Sequence, residues 1–172
     1  EAIKQIVNIG LDAKITSFAR GIQGDIDHAL DCGVDGVTLV VPSSDRHVTD
    51  KVRTTKEAVI SNSVTLIEYA KDHGIWLELL GEDGSRADID FLESLMSAGM
   101  EAGADQICWA DTGGHASPEQ TYYAVSKLSK IGPTSTHTHD DLGLAVSNVL
   151  ASISGGASMI HATVNGIGER SG

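Results

Sequence analysis

Apolar residues in this chain come in short blocks, and each block follows a glycine that closes an amphipathic stretch. Ile9-Gly10 leads toward Ile15, Cys32-Gly33-Val34-Asp35-Gly36 into Val37, and His73-Gly74-Ile75 into Trp76. Ala102-Gly103-Ala104-Asp105-Gln106, Ile131-Gly132-Pro133 and Gly155-Gly156-Ala157-Ser158 repeat the phrase. A glycine just past a helix supplies the left-handed conformation that ends it. The blocks predict six strands, over 14–19, 36–41, 75–80, 106–110, 134–138 and 158–164. Between them, helical spacing covers roughly 24–32, 54–73, 88–102, 117–130 and 141–154. Ser117-Pro118-Glu119 is a helix opening with a hydroxyl cap and proline in the first turn, and Asp88 before Ile89 is another.

Alternating β and α units imply an α/β fold, a parallel sheet covered by helices. The choice lies between an open doubly wound sheet and a closed barrel. Polar clusters end almost every strand: Arg20, Ser43-Ser44-Asp45, Glu82-Asp83, Asp111-Thr112, His137 with His139, and Asn165. A doubly wound sheet gathers its site at one switch point, whereas a TIM barrel collects residues from most strand ends. The pattern therefore predicts a (β/α)8-type barrel with about six of its eight units in this chain, since the whole barrel takes about 200 residues or more.

Composition narrows the function classes. The 172 residues form one domain, with 41% hydrophobic residues and mean hydropathy near zero. No apolar run is long enough to span a membrane, and no secretory signal is expected. Net charge is −12, which argues against a nucleic-acid groove. Cys32 and Cys108 stand in no motif and read as core thiols in a reducing, cytoplasmic setting. Trp76 and Trp109 read as strand core.

His137 and His139 carry the strongest chemical signal. On a strand, positions i and i+2 face the same way, so both imidazoles reach one metal ion from a rigid backbone. Pro133 and the β-branched Thr134, Thr136 and Thr138 suit the strand, and Asp140-Asp141-Leu142-Gly143 suits the turn that follows. Taken as residues alone, the pair is a metal site or two solvated loop histidines. Mixed nitrogen and oxygen ligation would suit Zn²⁺, Mn²⁺ or Mg²⁺.

The run His137-Thr138-His139-Asp140-Asp141-Leu142-Gly143-Leu144-Ala145 is similar to the H-x-H-D-D-x-G signature of one enzyme family, and Gly166-Ile167-Gly168-Glu169-Arg170-Ser171-Gly172 resembles its G-x-G-E-R-x-G-N loop. Three further matches lie in register: Ser43-Ser44-Asp45-Arg46-His47, Gly81-Glu82-Asp83-Gly84-Ser85-Arg86 and Asp111-Thr112-Gly113-Gly114. From Val37 onward the chain resembles the catalytic barrel of the 2-isopropylmalate, homocitrate and citramalate synthases, which belong with hydroxymethylglutaryl-CoA lyase. The family's first strand carries an Arg-Asp or Arg-Glu pair whose carboxylate binds the metal, and its last loop ends in Asn. Neither is present between Glu1 and Gly172. The expectation is that residues 1–172 are a partial TIM-barrel catalytic domain without strands one and two and without the C-terminal remainder.

The resemblance implies an acyltransferase of amino-acid biosynthesis, of leucine in the isopropylmalate branch, that condenses acetyl-CoA with a 2-oxo acid at a divalent metal. The alternatives are a metal-dependent C–C lyase or aldolase of the hydroxymethylglutaryl-CoA lyase type, and a folded but inactive excerpt. The Gly-Glu-Arg loop favours the synthase. His137 and His139 are then metal ligands. Glu82 matches the carboxylate near the reacting carbonyl and is the catalytic candidate. Thr112 matches a hydroxyl on the substrate carboxylate, with a loop cap as its alternative; Arg20, Ser44 and His47 are further substrate-binding candidates. Glu78, inside its strand, faces either the barrel interior or the helices. Glu169 and Arg170 are expected to fix the last loop, and Asn165 to hold a turn. The expected partners are acetyl-CoA, a 2-oxo acid and further copies of the chain in a homo-oligomer.

Overall fold

Six parallel strands in sequential order make the sheet: β1 (Thr16–Arg20), β2 (Gly36–Pro42), β3 (Trp76–Glu82), β4 (Gln106–Asp111), β5 (Thr134–Thr138) and β6 (Met159–Ile160). The structure is a computed structural model that describes all residues, Glu1–Gly172. Helices α2 (Gln23–Cys32), α3 (Lys56–Asp72), α4 (Ile89–Glu101), α5 (Pro118–Leu128) and α6 (Ala145–Ser154) connect successive strands, after a short α1 (Ala2–Val7). The expected caps form: Asp88 accepts from the Phe91 amide, and Ser117, followed by Pro118, accepts from the Gln120 amide.

Side-chain alternation divides the sheet into two faces. Leu39, Leu77, Leu79, Ile107 and Trp109 point to the helices and are fully buried against Ile26, Ile67, Leu95, Met96, Val125 and Leu128. Thr38, Glu78, Leu80, Cys108, Ala110 and Ser135 lie on the opposite face, where Leu80, Cys108 and Ala110 make a small separate apolar cluster. That inner face is half polar, unlike the helix-covered one. It is the face that holds the chemistry.

Several boundaries differ from the sequence expectations. The last strand is two residues long, against the seven expected over 158–164. Its ladder ends at the His161 amide, which donates to the Thr136 carbonyl. Asn165 (φ 56°) and Gly166 (φ 70°) then turn the chain back into a small antiparallel hairpin, β7 (Ile167–Gly168) with β8 (Arg170–Ser171). Helix α6 begins at Ala145 rather than 141, because Gly143 sits at φ 71° and Asp140 accepts from the Ala145 amide. A π-helical turn, His47–Val52, precedes α3 and had no signal in the hydrophobic pattern. Cys108 is buried, Cys32 half-buried, and both are free thiols. Trp109 is fully buried, whereas Trp76 is only partly so. No helix is long and apolar enough to cross a membrane.

Gly36 shows how tightly the strands approach. A Cβ there would lie 2.8 Å from the Trp76 carbonyl oxygen and 3.0 Å from its ring. Gly36→Ala is therefore expected to destabilise the fold by about 1–3 kcal/mol, seen as a lower urea midpoint at unchanged slope.

Candidate metal centre

Three imidazoles, not two, meet at the C-terminal ends of β5 and β6. His137 Nε2 lies 3.2 Å from His139 Nε2, and His137 Nδ1 lies 3.0 Å from His161 Nδ1. Two nitrogens that share one ion at about 2.0–2.1 Å each stand about 3 Å apart, so the His137 and His139 pair fits a shared divalent cation. His139 Nδ1 is buried and has no partner. Phe18 stands edge-on to His137 at 6.2 Å between ring centroids. Burial, then the charges of His161 and His139, hold the His137 imidazole at about 4, below its ordinary 6.5, while Glu78 pulls the other way. It is neutral at pH 7, the form that binds a metal.

Behind the histidines lies Glu78, fully buried on the inner face of β3. His161 Nε2 is 3.2 Å from its carboxylate, Thr38 Oγ1 donates at 2.9 Å, and the Ser135 hydroxyl donates as well. Burial alone would raise this carboxyl. The hydrogen bond and charge of His161, then Ser135 and Thr38, outweigh it and leave the group below its ordinary range. The structure thus settles that Glu78 faces the interior. Cys108 shares this pocket, its ligand atom within 4.8 Å of those of Glu78 and His161. Burial, and then the Glu78 charge, push its thiol well up, so it stays protonated and is a poor ligand.

Glu82 ends β3 and is gripped from two sides. Both its oxygens lie 2.7 Å from Lys51 Nζ, and one lies 3.2 Å from His47 Nδ1. The π-helical turn makes this grip, since it presents residues 47 and 51 together toward β3. The neighbouring Asp83 is fully buried in an αL conformation, held by Arg86 and the Ser44 hydroxyl. Burial opposes its ionisation, but Arg86, Ser44 and His47 win and keep its carboxyl low. Thr112 Oγ1 accepts from the Asp83 amide at 2.8 Å. Its hydroxyl therefore has a structural bond as well as a face toward the cavity.

A cavity of 1080 Å³ joins these groups, lined by Glu82, Thr112, His137, His139, His161 and Asn165 among others. Of the residues singled out by sequence, Glu82, Thr112, His137 and His139 converge there. Ser44 and His47 stand behind Glu82 and Asp83, outside the lining. Arg20 ends β1 as expected but does not join the others: Asp25 takes its guanidinium in a two-pronged pair at 2.7 and 2.9 Å. Asp25 stands two residues into α2, so the fork closes the β1 to α2 turn and turns Arg20 away from the cavity. Glu169 and Arg170 do pair, at 3.1 Å, and Arg170 also bonds Asp141 and the Thr112 carbonyl, fastening the hairpin over the site.

Sequence reasoning assigned no role in the site to three participants. His161 carries the same signal as His137, a histidine at a strand end. Glu78 is a lone acid inside an apolar strand, which is itself a signal. Lys51 had none, because its role depends on an irregular turn.

The HMGL-like family profile matches residues 1–172. The chain belongs to the HMGL-like family. A protein of Methanothermobacter thermautotrophicus provisionally named (R)-citramalate synthase is 51% identical over 100% of this chain and 35% of its own length. The homocitrate synthase of Methanopyrus kandleri is 42% identical over 100% of this chain and 44% of its own. The chain thus spans well under half the length of these curated relatives. The hydroxymethylglutaryl-CoA lyase of Brucella melitensis superposes with a TM-score of 0.82 at 17% identity, covering 97% of this chain and 62% of that one. That likeness establishes the fold: the six-stranded sheet is part of a (β/α)8 barrel.

The lowered His137 implies a pH dependence. As pH falls, the unfolded chain takes up this proton near 6.5 and the folded metal-free chain only near 4. Stability is therefore lost across that window as pH falls. In denaturant titrations of the metal-free protein between pH 7 and 4, His137→Asn is expected to flatten the slope.

Proposed function

We propose that this chain carries the metal-binding part of a catalytic barrel that condenses acetyl-CoA with a 2-oxo acid. The observation that supports it most is the pair of Nε2 atoms of His137 and His139, 3.2 Å apart in the cavity that Glu82 and Thr112 also line. A divalent ion held by this pair, Zn²⁺, Mn²⁺ or Mg²⁺, would supply Lewis acidity to the ketone of the 2-oxo acid. The thioester methyl loses a proton, its carbon bonds to the ketone carbon, and the ketone oxygen becomes a hydroxyl. Hydrolysis of the thioester then gives a carboxylate and free CoA thiol.

Glu82 is the group placed to accept or pass the methyl proton. Lys51 and His47 hold its carboxylate at the cavity, and they confine it to one orientation. The Thr112 hydroxyl is placed for the substrate carboxylate, and its bond to the Asp83 amide fixes it beside Glu82. Ser44 and His47 act from behind these acids, as supports for the substrate-binding wall. Arg20, turned onto Asp25, would contact substrate only after that fork opens.

The named relatives favour citramalate or homocitrate chemistry over the isopropylmalate branch. Citramalate dissects into an acetyl unit and pyruvate, so pyruvate is the first substrate to try. We place the enzyme in the cytoplasm, in keeping with the free thiols of Cys32 and Cys108, and as a homo-oligomer.

The test is free-thiol release from acetyl-CoA with pyruvate, 2-oxoglutarate and 2-oxoisovalerate, alongside bound metal per chain. His137→Ala or His139→Ala is expected to lose the metal and more than about 100-fold in rate. Glu82→Gln keeps the metal and loses about 10²–10⁴-fold in rate. His137→Ala with full metal content and full rate would overturn the proposal.

A further inference from the structure

A hydrogen-bonded line runs from the buried carboxylate to the cavity: Glu78, His161, His137, His139. With His161 neutral as the premise, its proton positions follow from which atoms can donate and which can accept. An ionised carboxylate only accepts, so the His161 nitrogen 3.2 Å from Glu78, Nε2, carries the hydrogen. A neutral His161 then has a bare Nδ1. His137 Nδ1, 3.0 Å away, must carry the hydrogen that this contact needs. His137 Nε2 is left bare, and it is the nitrogen that faces His139 across 3.2 Å. His139 has no such support, since its Nδ1 is buried without a partner.

We infer that Glu78 and His161 are positioning residues that lock His137 in its Nδ1–H form, with the Nε2 lone pair aimed at the metal position. The inference rests on the metal reading of His137 and His139 and deepens it. The geometry makes the lock rigid. Thr38 from β2 and Ser135 from β5 fix the Glu78 carboxylate. The His161 backbone is tied to the Thr136 carbonyl at 2.9 Å. His137 and His161 are therefore carried by neighbouring strand ends, and the imidazole contact spans the gap between them. Such outer partners of a ligating histidine set its tautomer and ring orientation, and their loss costs about 10–100-fold in metal affinity. Neither residue needs to touch substrate.

The test reads the metal-free protein as well as the loaded one. Long-range ¹⁵N–¹H spectra of the histidine-labelled full chain should show His137 protonated at Nδ1 and bare at Nε2. In His161→Phe that preference should vanish, and Zn²⁺ affinity by chelator competition should fall about 10–100-fold. His161→Gln, whose amide can donate to Glu78 and accept from His137, should recover most of both. Glu78→Gln, which keeps the shape, provides a second route if His161→Phe does not fold: the amide can offer its NH₂ to His161, so His137 becomes a tautomer mixture and affinity drops. His137→Ala serves as the control for the metal reading. If it retains Zn²⁺, that reading fails and the inference with it. If it loses Zn²⁺ while the tautomer and affinity stay unchanged in His161→Phe or in Glu78→Gln, the inference alone is overturned.

Discussion

A carboxylate buried on the inner face of a parallel sheet has to be satisfied, and Glu78 organises the site around that requirement. An unpaired charge there would cost several kcal/mol. Thr38 from β2, Ser135 from β5 and His161 just beyond β6 each give it a hydrogen bond. One charge thus ties together strands that are distant in sequence. Because the same histidine touches His137, the demand for neutralisation deep in the sheet is transmitted to the rim.

Parallel pairing makes this arrangement economical. With strands in register, residues at equivalent positions line the same face, and the C-terminal ends of all six strands finish at one rim. The apolar work is done on the other face, where Leu39, Leu77, Leu79, Ile107 and Trp109 meet the helices. The inner face is therefore free to carry Thr38, Glu78 and Ser135 without loss of the main core. At the rim, irregular backbone completes the geometry. The π-helical turn brings His47 and Lys51 onto Glu82, and Arg170 fastens the last hairpin to Asp141 and to the Thr112 carbonyl.

The two acids of β3, four residues apart on the same face, show how environment separates roles. Glu78 is sealed and held by hydroxyls and an imidazole, which suits orientation. Glu82 sits at the cavity beside a lysine and a histidine, which suits chemistry on a bound substrate. The difference comes from depth along one strand and not from residue type.

Local patterning was enough for the order of the six main strands and the five helices between them. Apolar blocks after glycines located all six strands, Asp88 and Ser117 marked helix starts, and the i, i+2 spacing put His137 and His139 on one face, because periodicity and capping are properties of short segments. The motifs also brought Glu82 and Thr112 to the same cavity. What lay beyond the sequence depended on neighbours far along the chain. The last strand stops at Ile160 because its ladder with β5 runs out and Asn165-Gly166 turns the chain back. Arg20 points away because Asp25, two residues into the next helix, captures it. Lys51 reaches Glu82 only through a π-helical turn, and Glu78 chose the interior only once Thr38, Ser135 and His161 were packed around it. A buried charge is placed by the partners that the fold assembles, and those partners are 40, 57 and 83 residues away from Glu78.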